Sequence, residues 1–284
     1  MSEGPVSMIE RMTLVLDAFD AASPRLTLAE LTERTGLPRS TTHRILEQLV
    51  ELRWLEHSGQ SYGLGLRALE VGGLAVAHHE LRVIASPLLA DMHDRTGAVA
   101  TLAVLDRRDV IFVERHGRGL SSDPVTRVGG RAPAHATAAG KAMLAWHDDN
   151  LLRASWPARL SAWTPHTLTS LEVLRQDLAL TRSRGGVALE REELTQGTVS
   201  VAVALRGTGR PVAAMQLSGR ARGVSLDRLA PFVQEAARRA SRQLFPAPGQ
   251  RRRSRTVDRT PRPSAWPPGA LDTLVQGMGG DYWL

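Results

Sequence analysis

The stretch from Thr27 to Leu64 constrains the fold more than any other part of the chain. Thr27-x-x-Glu30 is a capping box, in which a hydroxyl and a carboxylate each satisfy a backbone N–H at a helix start. The helix it opens runs over 28–35. It ends at Gly36, a residue suited to the position after a helix, with Pro38 just beyond. A second helix is predicted over 39–52, with Ile45, Leu46, Leu49 and Leu52 apolar. A short helix, a tight glycine turn and a second helix make a helix-turn-helix. Two extended runs, 53–57 and 62–64, flank Ser58-Gly59-Gln60-Ser61 and read as a hairpin. A hairpin directly after a helix-turn-helix makes a winged helix. Upstream, Ser7-x-x-Glu10 starts another helix that is expected to align Ile9, Met12, Leu16 and Phe19 on one face.

The exposed start of the third helix reads Arg39, Ser40, Thr41, Thr42, His43 and Arg44. All six can hydrogen-bond to phosphates or base edges and none is acidic, so this turn is the predicted DNA contact. Arg39 and Arg44 are expected on phosphates. Overall charge points the same way for the wrong reason. The chain carries 36 Lys+Arg against 29 Asp+Glu, a net of +7. Residues 1–77 nevertheless sum to −3, while 78–245 hold +7 and 246–284 hold +3. DNA binding therefore rests on a few placed cations and not on the charge of that region.

Residues 65–96 read as two helices. The first, a linker over 68–79, either pairs with its copy in a dimer or packs within the chain. The second carries Leu81, Ile84, Leu88, Leu89 and Met92 as its apolar set. Strands follow at 99–105, 110–114, 199–205 and 211–217, with helices at 137–146, 171–184 and 226–244. This is α+β organisation: an antiparallel sheet flanked by helices, suited to a cupped ligand pocket. Aromatic residues make up only 4%, so aliphatic side chains must build the core. There is no cysteine, which excludes disulfides, a thiol nucleophile and cysteine-based metal sites. No stretch reaches 18 apolar residues and no basic-then-apolar leader opens the chain, so a cytoplasmic protein without membrane contact is expected. The last zone, 246–284, holds six prolines and the run Arg251-Arg252-Arg253-Ser254-Arg255; it is expected to be disordered.

Four segments carry a family resemblance. Residues 28–46 (LAELTERTGLPRSTTHRIL) resemble the winged helix of the IclR family of bacterial transcription regulators. Residues 128–145 (VGGRAPAHATAAGKAMLA), 185–193 (GGVALEREE) and 213–219 (AAMQLSG) resemble the second domain of that family. The likeness covers about 7–245 in order. It implies a winged helix-turn-helix over 7–67 and a GAF-like antiparallel-sheet effector domain over 80–245. It also implies a homodimer or dimer of dimers on double-stranded operator DNA, a small and often carboxylate-bearing effector, and repression as the mode of action. Carried over position by position, the resemblance implies an effector pocket at the backbone around Ala138 and Ala139 and at Glu190, Ser200, Gln216 and Ser218. Three positions depart from the family habit: Glu190 stands for Asp, Ser200 for Cys, and Gln216 for the much smaller Ser.

The chemistry of that pocket can be weighed from the residues. Small residues lead into a helix start near 133–141, which favours an anion, and Ser200 and Ser218 can donate to carboxylate oxygens. An ionised Glu190 would repel an anion, so it is expected to hold an arginine or a ligand hydroxyl. Lys141, the only lysine, is read as a helix-surface residue and not as a Schiff-base catalyst. Two enzyme-like readings compete with the regulator. One groups His135, Ser200 and Glu190 as a hydrolytic set, although no Gly-x-Ser-x-Gly elbow surrounds Ser200. The other gathers His78, His79 and His93 on a metal. A sensory module that uses the pocket without binding DNA is a third alternative. The expectation is a regulator with no catalytic residues, no metal and no cofactor.

Overall fold

The computed structural model describes residues 7–20, 22–77, 80–117 and 124–246. The first layer is built as the caps predict. Helix α1 (Met8–Asp17) and helix α2 (Leu28–Thr35) each begin with a complete capping box, from Ser7/Glu10 and Thr27/Glu30. Such caps are worth about 1 kcal/mol each. Gly36 ends α2 at φ +67°, the left-handed conformation that disfavours any side chain. Helix α3 (Arg39–Glu51) follows, and strands β2 (Leu55–Ser58) and β3 (Ser61–Leu64) form the wing. The sequence reading missed β1 (Arg25–Thr27), which pairs antiparallel with β3 and completes a three-stranded sheet. At three residues it is too short to show alternation.

The core of this layer holds Val15, Leu26, Leu31, Ile45, Leu46, Leu49, Leu55 and Tyr62. It corrects two expectations. Ile9 is 73% exposed, and Val15 is the α1 residue that is fully buried, with Met12, Leu16 and Phe19 beside it. The buried stripe therefore starts one turn later than expected, because the first turn of α1 overhangs its neighbours. Leu52 is likewise exposed, since α3 ends before it.

Helix α4 (Leu66–Ala77) leads to α5 (Glu80–Thr96). Leu69 on α4 is 72% exposed, and Leu66 and Val71 are exposed too, so packing among the described residues does not cover this face. The second layer is a six-stranded sheet, antiparallel throughout, in the order β6-β5-β4-β9-β8-β7. Its members are β4 (Val99–Asp106), β5 (Asp109–His116), β6 (Arg131–Pro133), β7 (Val187–Arg191), β8 (Thr198–Leu205) and β9 (Ala213–Arg220). The sequence reading found β4, β5, β8 and β9 but not the edge strands β6 and β7. It also missed helix α7 (Asp149–Ser155), which Asp148 caps.

Strand alternation divides the two faces. Val201, Met215 and Leu217 point to α5 and to α9 (Leu226–Leu244), where Leu88, Met92 and Val233 meet them. Ala188, Ala202 and Ala214 point the other way, to α6 (Ala138–Leu144) and α8 (Leu171–Ser183). These small side chains let α6 lie close to the sheet. Gly140 serves the same end: a Cβ there would sit 2.2 Å from the Ala134 carbonyl oxygen. No described helix is long and apolar enough to cross a membrane. The predicted disorder of 246–284 falls, beyond Pro246, outside the described residues.

Candidate functional site: an exposed helix start and a polar cavity

Pro38 precedes α3 and gives it no side-chain cap, and no acid lies in its first turn. Arg39, Ser40, His43 and Arg44 are exposed there and Thr41 is half-buried. Thr42 is the exception to the predicted contact set. It is fully buried, with Oγ1 donating back to the Pro38 carbonyl at 3.2 Å, because it falls on the inward face of the helix that also carries the buried Ile45, Leu46 and Leu49. His43 Nδ1 lies 3.6 Å from Glu47 Oε2, one turn on. Gln48, one turn beyond Arg44, is exposed on the same strip. The sequence reading stopped short of it, although the four-residue spacing could have found it.

The cavity lies on the α6 face of the large sheet. Strand registers set Val99, Ser218, Ser200 and Glu190 in one row across β4, β9, β8 and β7, with Thr101 opposite Gln216 two residues along. These residues, with Ala138 and others, line a narrow, largely enclosed cavity. The six predicted effector residues are thus brought together, with Ala139 tied to them through Gln216. A hydrogen-bonded chain runs through them. Ala139 N donates to Gln216 Oε1 at 2.9 Å, and Gln216 Nε2 donates to Ser218 Oγ at 2.9 Å. Ser218 and Ser200 hydroxyls lie 3.0 Å apart, and Ser200 bonds to the Glu190 carboxylate. The direction of the first link orients the rest, since an amide that accepts through oxygen must donate through nitrogen.

Three expectations change here. The α6 start is only partly open to an anion: Gln216 occupies Ala139 N, and the Thr137 cap occupies Gly140 N at 3.0 Å. Glu190 holds no arginine. Its Oε1 accepts the backbone N–H groups of Glu193 at 2.6 Å and Leu194 at 3.3 Å, fixing the loop after β7. Burial pushes its carboxyl up to about 7, against the hydrogen bonds that favour the ion. Lys141 is not on the surface. It is 1% exposed, with Nζ 2.7 Å from Glu193 Oε1 and 3.1 Å from Asp177 Oδ2. The chain places its only lysine on the α6 face turned toward the β7 loop and α8, where two acids await it.

The sequence reading also missed Thr101. It is 1% exposed, lines the cavity, and its Oγ1 has no partner. A β-branched residue in a strand carries no signal of this; only the register across β4 and β9 reveals it. The enzyme-like set does not assemble. His135 spends Nε2 on the Ser161 carbonyl at 3.0 Å, and burial lowers its pKa, so it is uncharged at neutral pH and unpaired with Ser200. His93 Nδ1 is held by the Ala98 carbonyl at 2.8 Å, while His78 and His79 lie outside the described residues.

Comparison with known proteins gives two family matches. Residues 8–59 match the IclR helix-turn-helix domain and residues 73–244 match "Bacterial transcriptional regulator IclR C-terminal". The chain is similar to the HTH-type transcriptional regulator XynR of Escherichia coli (strain K12), 33% identical over 85% of this chain and 99% of the relative. It is similar to the transcriptional repressor IclR of the same organism, 30% identical over 81% of this chain and 85% of the relative. Among solved structures, an IclR homolog from Microbacterium hydrocarbonoxydans complexed with 4-hydroxybenzoate aligns with a TM-score of 0.72. It is 28% identical, over 84% of this chain and 99% of that one. The winged helix, the curled antiparallel sheet and these matches agree: the chain belongs to the IclR family and is a DNA-binding bacterial transcriptional regulator with an effector-binding C-terminal domain, not an enzyme.

Proposed function

We propose that this regulator is a cytoplasmic repressor whose hold on operator DNA changes when a small organic acid fills the cavity between α6 and the sheet. One observation carries the reading: the buried polar row Gln216–Ser218–Ser200–Glu190 along the wall of a narrow cavity, an arrangement with no use in a plain core. The acid class is supported by the relative solved with 4-hydroxybenzoate. Arg39 and Arg44 bind phosphates; Ser40, Thr41 and His43 approach base edges. The division of labour is a DNA-binding unit over 7–67, a linker over 68–79 and an effector unit over 80–245. The regulator works as a homodimer or dimer of dimers, since the exposed apolar residues Met8, Ile9, Leu66, Leu69 and Val71 need a cover that the described residues of one chain do not supply.

The test is a mobility-shift assay on the DNA upstream of its own gene. Sequence-selective retardation is expected, weakening steeply as salt rises. Addition of 4-hydroxybenzoate or another small organic acid is expected to alter the shift. Absence of selective binding at moderate salt would sink the reading.

A further inference from the structure

We propose that the far end of the large sheet holds a second ligand site, built on Arg206 and Arg210 of the turn between β8 and β9 and taking a phosphoryl group. The site lies apart from the cavity. Ser200 sits near the start of β8 and Arg206 just past its end, about 20 Å of strand away. The geometry starts with a stack. The Arg206 guanidinium carbon lies 3.8 Å from the centre of the Trp146 ring, just after α6. Gly186 closes in on the same ring: a Cβ there would sit 3.2 Å from Trp146 Cζ2. The turn is anchored to α9, since the Arg206 backbone N–H donates to Ser241 Oγ at 3.2 Å. A guanidinium stacked on an indole keeps its in-plane N–H groups for a fork of acceptors. Here the acceptors are missing. Arg206 Nε is buried and has no partner, and no described carboxylate pairs with this arginine. A buried donor on a cation is costly to leave unmade, so the corner lacks a component.

Further cations border the same ring. Arg210, at the other end of the turn, lies near His147, whose pKa falls through burial and then through that positive charge. Arg182, in the last turn of α8, donates Nη1 to the Ala145 carbonyl at 2.8 Å, one residue before Trp146. Neither is ion-paired among the described residues. The acids of the adjoining elements are engaged elsewhere. Asp148 caps α7, Asp149 serves Arg153 and Arg175, and Glu235 on α9 serves Arg95 and Arg239. The sequence from 246 onward brings six arginines against three acids, so it adds like charge to this end. Part of the +7 of residues 78–245 is thus gathered, unmatched, around one aromatic ring. Three cations without an acid call for more than one negative charge on a compact group. A phosphate monoester carries about −1.5 to −2 near pH 7 on three strong acceptor oxygens, where a carboxylate carries a single charge on two. Planar arginine forks match such oxygens pairwise.

The experiment titrates the full chain with inorganic phosphate and with pyrophosphate, against sodium chloride of equal ionic strength. Binding is read by calorimetry, melting temperature and tryptophan emission. Both phosphates are expected to bind saturably and to raise the melting temperature above that in chloride. Arg206→Gln removes the stacked cation while keeping the backbone bond to Ser241, and should weaken phosphate binding about tenfold. Arg210→Gln should weaken it as well. Arg153→Gln, an exposed arginine paired with Asp149, should leave it unchanged. Trp146→Phe keeps an aromatic platform; it should still bind phosphate by calorimetry but lose the change in emission, which places the ligand at this corner. A response no larger than that to chloride, or binding unaltered in both Arg206→Gln and Arg210→Gln, overturns the proposal. Succinate bound as tightly as phosphate overturns the phosphoryl assignment. Arg210 is exposed, so its variant keeps the test decisive if Arg206→Gln fails to fold.

Discussion

Lys141→Met is the substitution whose outcome the structure specifies most sharply. Methionine nearly matches the volume of the lysine stem but removes an ammonium that is 1% exposed and 2.7 Å from Glu193 Oε1. The partner carboxylate stays buried, and its second oxygen, Oε2, already lacks a partner. Orphaning one member of a buried ion pair costs about 3–5 kcal/mol. For a domain of this size that is a fall in melting temperature of about 6–20 °C, read by calorimetry or thermal shift. The deficit should depend on pH with a definite sign. Burial already raises the Glu193 pKa above its ordinary 4.5, and the Lys141 ammonium pulls it back toward that value. Without the lysine it rises further. A carboxyl whose pKa is higher folded than unfolded favours the folded state only while protonated. The loss is therefore smallest below pH about 4.5 and grows as pH rises through the raised folded value. Adding Glu193→Gln should recover much of the loss, because only Asp177, the more exposed of the two acids, then stays without its counter-ion. A cost below about 1 kcal/mol, or an equal cost at pH 5 and pH 8, would refute the assignment of Lys141 as a structural counter-ion.

Other substitutions test the remaining claims. Thr101→Val removes a buried hydroxyl without a partner; it should stabilise the free protein by about 1 kcal/mol in urea titration while weakening organic-acid binding. Arg44→Ala should lower operator affinity and reduce the salt slope by about 1 in mobility-shift assays, with an unchanged melting temperature, because Arg44 is exposed. Thr42→Val should do the reverse, leaving DNA affinity intact while costing about 1 kcal/mol of stability through the lost bond to Pro38. Gly140→Ala forces a methyl to within 2.2 Å of the Ala134 carbonyl oxygen and should destabilise the effector domain by about 1–3 kcal/mol or more, measured by its unfolding transition.

The sequence by itself determined what depends on neighbours along the chain. Capping boxes, the left-handed Gly36 and the apolar spacing on α3 and α5 are local, so the helices and wing of the first layer and the longer helices of the second were legible before any contact was known. The strands with eight residues were found; three-residue β1 and β6 were not, since a strand that short has no alternation to read, and the five residues of β7 escaped as well. The tertiary structure decided what depends on residues far apart in sequence. Strand register gathers Thr101, Glu190, Ser200, Gln216 and Ser218 on one face, leaving Thr101 with no partner and Gln216 across the start of α6. Helix rotation hides Thr42 while exposing Arg44 two residues on. It also turns Lys141, whose charge and isolation suggested the surface, toward two acids 36 and 52 positions away. A charge looks solvated until its counter-ions are known, and those came from α8 and the loop after β7, elements that only the assembled sheet and its packed helices bring to α6.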